Sequence, residues 1–159
     1  MIKKIKKIKE QINSLGLSIV GEDFTKPWGG FLIIDENQSK KFISHFISNE
    51  YLNIEGKISP KILFVNSKSR LSWQYHNRRE EIWSVVEGPV GVVKSKNNVE
   101  NKIVSFNTGE IIHIKLKERH RIVGLNNHSI IAEIWIHIDL NNPSDEDDII
   151  RLQDDYSRN

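Results

Sequence analysis

Gln74-Tyr75-His76-Asn77-Arg78-Arg79-Glu80-Glu81-Ile82-Trp83-Ser84-Val85-Val86-Glu87-Gly88 carries β-type runs around a short polar break. Alternate residues of a strand share a face, so Gln74 and His76 point the same way. Glu81, Trp83 and Val85 form a second same-face series that Gly88 ends, and this lets a carboxylate point inward beside aromatic and aliphatic packing. Far along the chain, Gly109 is followed eleven residues later by His120, at the threshold of another β-type run. Gln74, His76, Glu81 and His120 together offer oxygen and nitrogen donors suited to a divalent zinc, iron, nickel or manganese ion. A single inward histidine is more often a hydrogen-bonded core residue, so the spacing of the four carries this reading.

Outward from this stretch the chain breaks into short β-type runs at 61–66, 71–75, 81–86, 90–94, 102–106, 111–116, 121–125 and 130–138, with 31–34 ahead of them. Turns fall at Asn97-Asn98, Thr108-Gly109 and Asn126-Asn127. Eight strands so spaced predict a sandwich or a jelly-roll barrel whose mouth can hold a ligand. Twenty-five isoleucines against one alanine, Ala132, point the same way, because β-branched residues favour sheets. In the run 130–138, Glu133, Trp135 and His137 share one face and Ile134, Ile136 and Ile138 the other; which face lines a barrel stays open.

Two helices are expected. Ile2, Ile5, Ile8, Ile12 and Leu15 recur at helical spacing among Lys3, Lys4, Lys6, Lys7 and Lys9, and Gly16 is the natural stop. Residues 1–25 are therefore read as an amphipathic helix and lead-in, docked on a domain spanning 26–159. Phe42, Ile43, Phe46 and Ile47 mark a second helix with Ser39 as its N-cap. The acidic tail, 145–148 with Asp154-Asp155, is read as a solvated face that can attract the basic N-terminal helix.

With 159 residues and 18.5 kDa, one core is expected. Twenty-three basic against twenty-one acidic side chains leave a net charge of +2, too balanced to make nucleic acid the default partner. Cysteine is absent, which excludes disulfides, thiolate metal sites and a cysteine nucleophile. No apolar run approaches the ~20 residues a membrane helix needs, and the N-terminus lacks a signal-type apolar stretch, so a cytoplasmic location with no membrane partner is expected.

The spacings also match a known family. His76, Glu81 and Gly88, with four and six residues between them, fit the second half of the first cupin motif, Gln74 standing where its first histidine usually is. Gly109 to His120 reproduces the glycine-to-histidine spacing of the second motif, with Lys115 and Lys117 in place of its usual proline and glycine. Within the cupins, the sequence resembles the mannose-6-phosphate isomerase domain that forms the C-terminal half of type II bifunctional phosphomannose isomerase/guanylyltransferases. Three blocks carry this: Lys26-Pro27-Trp28-Gly29; Arg70-Leu71-Ser72-Trp73-Gln74-Tyr75-His76 through Arg79, Glu81 and Trp83; and Glu146-Asp147-Asp148-Ile149-Ile150-Arg151 with Asp154-Asp155-Tyr156. The resemblance covers roughly residues 26–158, with 39–59 resembling an insertion. Three departures stand out. Asn77 and Arg78 replace two histidines that often follow the first, and Ile82 replaces a histidine after the glutamate.

The resemblance implies a mostly β protein: a cupin jelly-roll β-barrel with an N-terminal helix and a short inserted helix. It implies one divalent ion, zinc first among the candidates, and a homodimer. It further implies a metal-dependent aldose-ketose isomerase acting on a sugar phosphate, converting mannose 6-phosphate to fructose 6-phosphate. Such chemistry moves a proton between C1 and C2, and the base is either Glu81 or Glu133. Arginine forks suit a phosphate, so Arg79, Arg119, Arg121 and Arg70 are candidates, with Lys26. Trp28, Trp73, Trp83 and Tyr75 either wall a sugar pocket or pack the core. A non-catalytic sugar-phosphate or nucleotide-sugar binding module is the alternative, serving a separate sugar nucleotidyltransferase, and a metal dioxygenase of the same fold is a third reading. No glycine-rich nucleotide-binding signature occurs in the chain.

Overall fold

The β-branched runs pair where the alternation predicts. The computed structural model describes residues 1–157, so the last two residues of the domain expected over 26–159 lie outside the described residues. In chain order these form α1 (Ile2–Ser14), β1 (Ile19–Lys26), β2 (Gly29–Ile34), α2 (Ser39–Phe42), β3 (Ile58–Val65), β4 (Trp73–Tyr75), β5 (Arg79–Glu87), β6 (Val90–Ser95), β7 (Val104–Phe106), β8 (Ile111–Ile114), β9 (Arg119–Val123), β10 (Ser129–His137) and β11 (Ile150–Gln153). The strands make two antiparallel sheets, β1-β2-β3-β10-β5-β8 and β11-β4-β9-β6-β7. This is the mostly β, two-sheet architecture the sequence led us to expect. Two strands escaped the sequence reading. The β1 stretch is interrupted by Gly21, Glu22 and Asp23, and β11 is four residues long behind an acidic run.

The six-stranded sheet is buried on both sides. Ile62, Ile82, Ile130 and Ile134 pack outward against Ile8 and Ile12 of α1 and against Phe42, Ile43 and Phe46. The opposite face carries Leu63, Val65, Trp83, Val85 and Ile131, which pack with Val90, Val92 and Ile122 of the second sheet. Each such side chain contributes about 1.5–3 kcal/mol when fully buried, so the helical layer is a structural part of the domain. Gly29 shows how closely β2 approaches β3: a Cβ there would meet the Phe64 carbonyl oxygen at 1.9 Å, and its φ of +145° disfavours any other residue.

The N-terminal helix docks as expected, although Ile2 stays exposed. Gly16 ends it with φ +74°. Its lysines engage the six-stranded sheet, Lys4 with Glu87 and Lys9 with Glu22, and the acidic tail finds other partners. The second helix continues from α2 through a π-helical turn, Ile43–Ile47. Ser39 is its first residue and no N-cap. Gln38 precedes it without a side-chain cap bond, and the local capping bond is made earlier, by Asp35 accepting from the Asn37 N–H at 3.0 Å. No helix among the described residues is long and apolar enough to cross a membrane.

Candidate functional site

Between the sheets lies a cavity of about 80 Å³ that opens to solvent. Its polar half is built from neighbouring strands in register. In the β5–β10 pairing Glu81 lies opposite Trp135, Trp83 opposite Glu133, and Arg79 opposite His137. Across strands β4 and β9, Gln74 lies opposite His120.

His76, Glu81 and His120 converge as a buried group whose ligand atoms lie within 4.8 Å of one another. The His76 and His120 Nε2 atoms are 3.1 Å apart, Glu81 Oε1 is 3.3 Å from His76 Nε2, and Glu81 Oε2 is 3.8 Å from His120 Nε2. Donors about 2.05 Å from a tetrahedral ion lie about 3.3 Å from one another, so these spacings fit a divalent metal. The outer hydrogen bonds agree. His76 Nδ1 donates to the Asp148 carbonyl at 2.9 Å, and His120 Nδ1 donates to the Glu118 carbonyl at 2.8 Å. Carbonyls only accept, so each Nδ1 carries a proton, and in the neutral ring each Nε2 turns a lone pair toward the same point, an arrangement that could hold a cation. Burial, against the pull of Glu81, lowers the His120 pKa to about 4 and keeps that ring neutral. Burial also opposes charge on Glu81, but Arg79 and the two histidines outweigh it and hold this carboxyl well below the usual range.

Glu133 is the second buried carboxyl. Burial and the neighbouring Glu81 push it up to about 8, so it carries a proton at neutral pH. The Trp83 indole N–H reaches both groups, Glu81 Oε2 at 2.9 Å and Glu133 Oε1 at 3.2 Å. The open question about β10 is thereby answered: the Glu133 face lines the cavity and the Ile134 face packs against the helices.

Gln74, the expected fourth donor, also lines the cavity, and its Oε1 accepts from Ser72 at 3.0 Å. Arg79 lies inside the metal group with each guanidinium nitrogen engaged: Nε donates to Glu81 at 2.9 Å, Nη1 to Ser144 at 3.0 Å, and Nη2 stands 3.2 Å from His76 Nε2. Its guanidinium carbon lies 3.5 Å from the Trp135 ring centre. The free phosphate fork expected of it is not there. Three further candidates lie outside the lining. Arg70 grips Asp155 with two hydrogen bonds. Arg119 donates to Asn98 and stacks on Tyr75, and Arg121 holds the Leu71 carbonyl, Glu100 and Gln153. Lys26 lines the cavity, 3.5 Å from Asp23.

Residues that the sequence reading did not name as site candidates complete the site. Lys61 is 8% exposed, with its ammonium 4.0 Å from the Trp135 ring centre, and Arg151 joins from β11. Asp148, from the tail read as a solvated face, is buried. Its carboxylate accepts from the Asn77 and Arg78 N–H groups and from Ser144, which ties the loop after His76 in place. Trp28 and Trp83 line the cavity, whereas Trp73 bonds to the Asn98 carbonyl and Tyr75 lies beneath Arg119.

Residues 18–154 match the family described as mannose-6-phosphate isomerase C-terminal. The chain belongs to this family. Xanthan biosynthesis protein XanB of Xanthomonas campestris pv. campestris is 26% identical over 159 residues, covering 99% of this chain and 28% of its own length. The chain thus spans just over a quarter of that relative. Among solved structures, an oxalate decarboxylase variant from Bacillus subtilis superposes with a TM-score of 0.61 at 11% identity, covering 83% of this chain and 30% of its own. KdgF from Halomonas sp. gives a TM-score of 0.54 at 12% identity, over 75% and 88%. These likenesses show the fold. In this member of the mannose-6-phosphate isomerase C-terminal family the three departures fall away from the cavity. Asn77 is exposed, with its backbone N–H bound by Asp148, Arg78 pairs with Asp145 of the tail, and Ile82 packs on the helical layer.

Proposed function

We propose that the protein is a metal-dependent aldose-ketose isomerase of sugar phosphates, converting mannose 6-phosphate to fructose 6-phosphate. The observation that carries this reading is the buried His76, Glu81 and His120 group, its ligand atoms within 4.8 Å of one another, beside the protonated Glu133 in the cavity between the sheets. Gln74 would complete the donor set. A divalent ion held there, zinc first among the candidates, supplies a Lewis acid for the oxygens of the open-chain sugar.

The remaining steps belong to the chain. Both Glu81 oxygens accept hydrogen bonds, one from Arg79 and the other from Trp83, which leaves Glu133 as the group that holds the migrating proton. In its ionised form Glu133 takes the proton from C2, and in its acid form it returns one to C1, while the hydroxyl proton of O2 ends on O1. Arg79 positions Glu81 and keeps it ionised. Trp135 and Trp83 wall the cavity and limit water around the transfer. The same reading takes the working unit to be a homodimer, which light scattering measures.

The test is metal-loaded protein with mannose 6-phosphate in heavy water, followed by NMR, with metal content from elemental analysis. Fructose 6-phosphate should form, with about one metal per chain. Absence of turnover on hexose, pentose and heptose phosphates in metal-loaded, folded protein would overturn the isomerase reading in favour of a binding module.

A further inference from the structure

We propose that Arg151 on β11, with Lys61 on β3, forms the anion subsite that holds the phosphate of the substrate, a conclusion that rests on the sugar-phosphate reading above. A dianionic group needs a cation whose donors are uncommitted. Arg70, Arg78, Arg79, Arg119 and Arg121 all donate to named protein groups. Arg151 differs from them: it lines the cavity, and its Nε is buried with no hydrogen-bond partner among the described residues. A buried charged donor left without a partner is costly, so such a group in a cavity marks the place of a ligand acceptor.

Register supplies an independent reason. Arg151 lies opposite Gln74, and Gln74 lies opposite His120, on three adjacent strands. Directly opposed residues share a face, so the three side chains form one row across the cavity wall. Two strand spacings put Arg151 about 10 Å from His120, a separation suited to an open-chain sugar with its carbonyl end at the histidines and its phosphate at the arginine.

Lys61 adds the second charge. Its ammonium sits 4.0 Å from the Trp135 ring centre and 4.8 Å from that of Phe31, and its carboxylate partner is the exposed Glu146 at 3.6 Å. Glu146 is a weak competitor, because a solvated carboxylate at that distance gains little from the contact. An arriving phosphate would take the fork of Arg151 as its charge-assisted partner, with Lys61 as a second cation lining the same cavity.

The probe is inorganic phosphate, with binding read by calorimetry and by competitive inhibition of isomerisation. Arg151→Gln should weaken phosphate binding by about 10- to 100-fold and raise KM for the sugar phosphate in parallel. Arg151→Lys should recover part of the loss, and metal content should match the parent protein. As a measurement independent of any variant, phosphate should slow phenylglyoxal modification of Arg151 in the unaltered protein, read by peptide mass spectrometry. Phosphate binding unchanged in Arg151→Gln, or Arg151 unprotected by phosphate, overturns the subsite. If phosphate binds through Arg151 but no sugar phosphate is isomerised, the subsite stands and the isomerase reading falls. If isomerisation proceeds with KM unaffected by either variant, the reverse holds.

Discussion

Ile134 and Glu133 are neighbours on β10 and both are buried, yet they serve opposite sides of one sheet. Ile134 and its cross-strand partner Ile82 face the helices, whereas Glu133 and Trp83 face the cavity. The alternation therefore separates two interiors, one apolar and one chemical. In a sheet with one face in water, the polar series would be the solvated one. Here α1 and the segment around α2 cover the isoleucine face, so the polar series is left to line the cavity.

Substitutions on the two faces should fail in different ways. The largest effect belongs to Glu81→Gln, which would remove a donor of the proposed metal site and leave Arg79 without its counter-charge. Turnover should fall by at least about a thousandfold with a clear drop in bound metal, measured by steady-state assay and elemental analysis. Its chain neighbour faces the other way: Ile82→Ala should cost about 2–5 kcal/mol of stability in denaturant titration. The fraction that remains folded should keep its metal. Metal loss from folded Ile82→Ala would show that the two faces are not independent.

Asp148→Asn should be milder, weakening metal affinity by about 10- to 100-fold by loosening the loop and carbonyl that orient His76. Asp148 also has a pH signature. Burial raises its pKa, but hydrogen bonds from Ser144, Asn77 and Arg78 outweigh this and hold it below the ordinary carboxylate value. A depressed folded pKa means that its stabilising contribution is full above the unfolded value of about 3.9 and is lost as pH falls through the folded one. The loop after His76 should thus loosen in acid in the parent protein and much less so in Asp148→Asn, as hydrogen exchange at Asn77 and Arg78 would report. The smallest effect is expected at Lys117, which stands where the motif usually has glycine and adopts φ +63°. Lys117→Gly should change stability by no more than about 1 kcal/mol, toward stabilisation, because relief of the left-handed strain is offset by a freer unfolded chain.

The site was legible where its geometry is local or repeats a motif. His76, Glu81 and Gly88 lie on one strand and its approach, and His120 keeps its spacing from Gly109, so short-range periodicity sufficed. The proposed phosphate subsite was not legible, because any arginine is consistent with one until its partners are known. Arg70, Arg119 and Arg121 are taken by Asp155, Asn98 and Glu100, contacts 85, 21 and 21 residues away in sequence. Asp148 was hidden for a related reason: among Asp145, Glu146 and Asp147 it has no compositional distinction, and only its fold back onto residues 77 and 78 sets it apart.

The tail that holds His76 and Arg79 also fixes the order in which the site is assembled. Ser144, Asp145 and Asp148 support those two residues, and Arg151 adds its charge from the strand beyond them. Synthesis runs toward the C-terminus, so both sheets have most of their strands before this segment emerges. A growing chain would hold His76, Glu81 and His120 near one another while their outer supports were still missing. If the group holds a metal as proposed, tight capture would then be the last event of maturation, and ions met during synthesis could exchange until the tail closes.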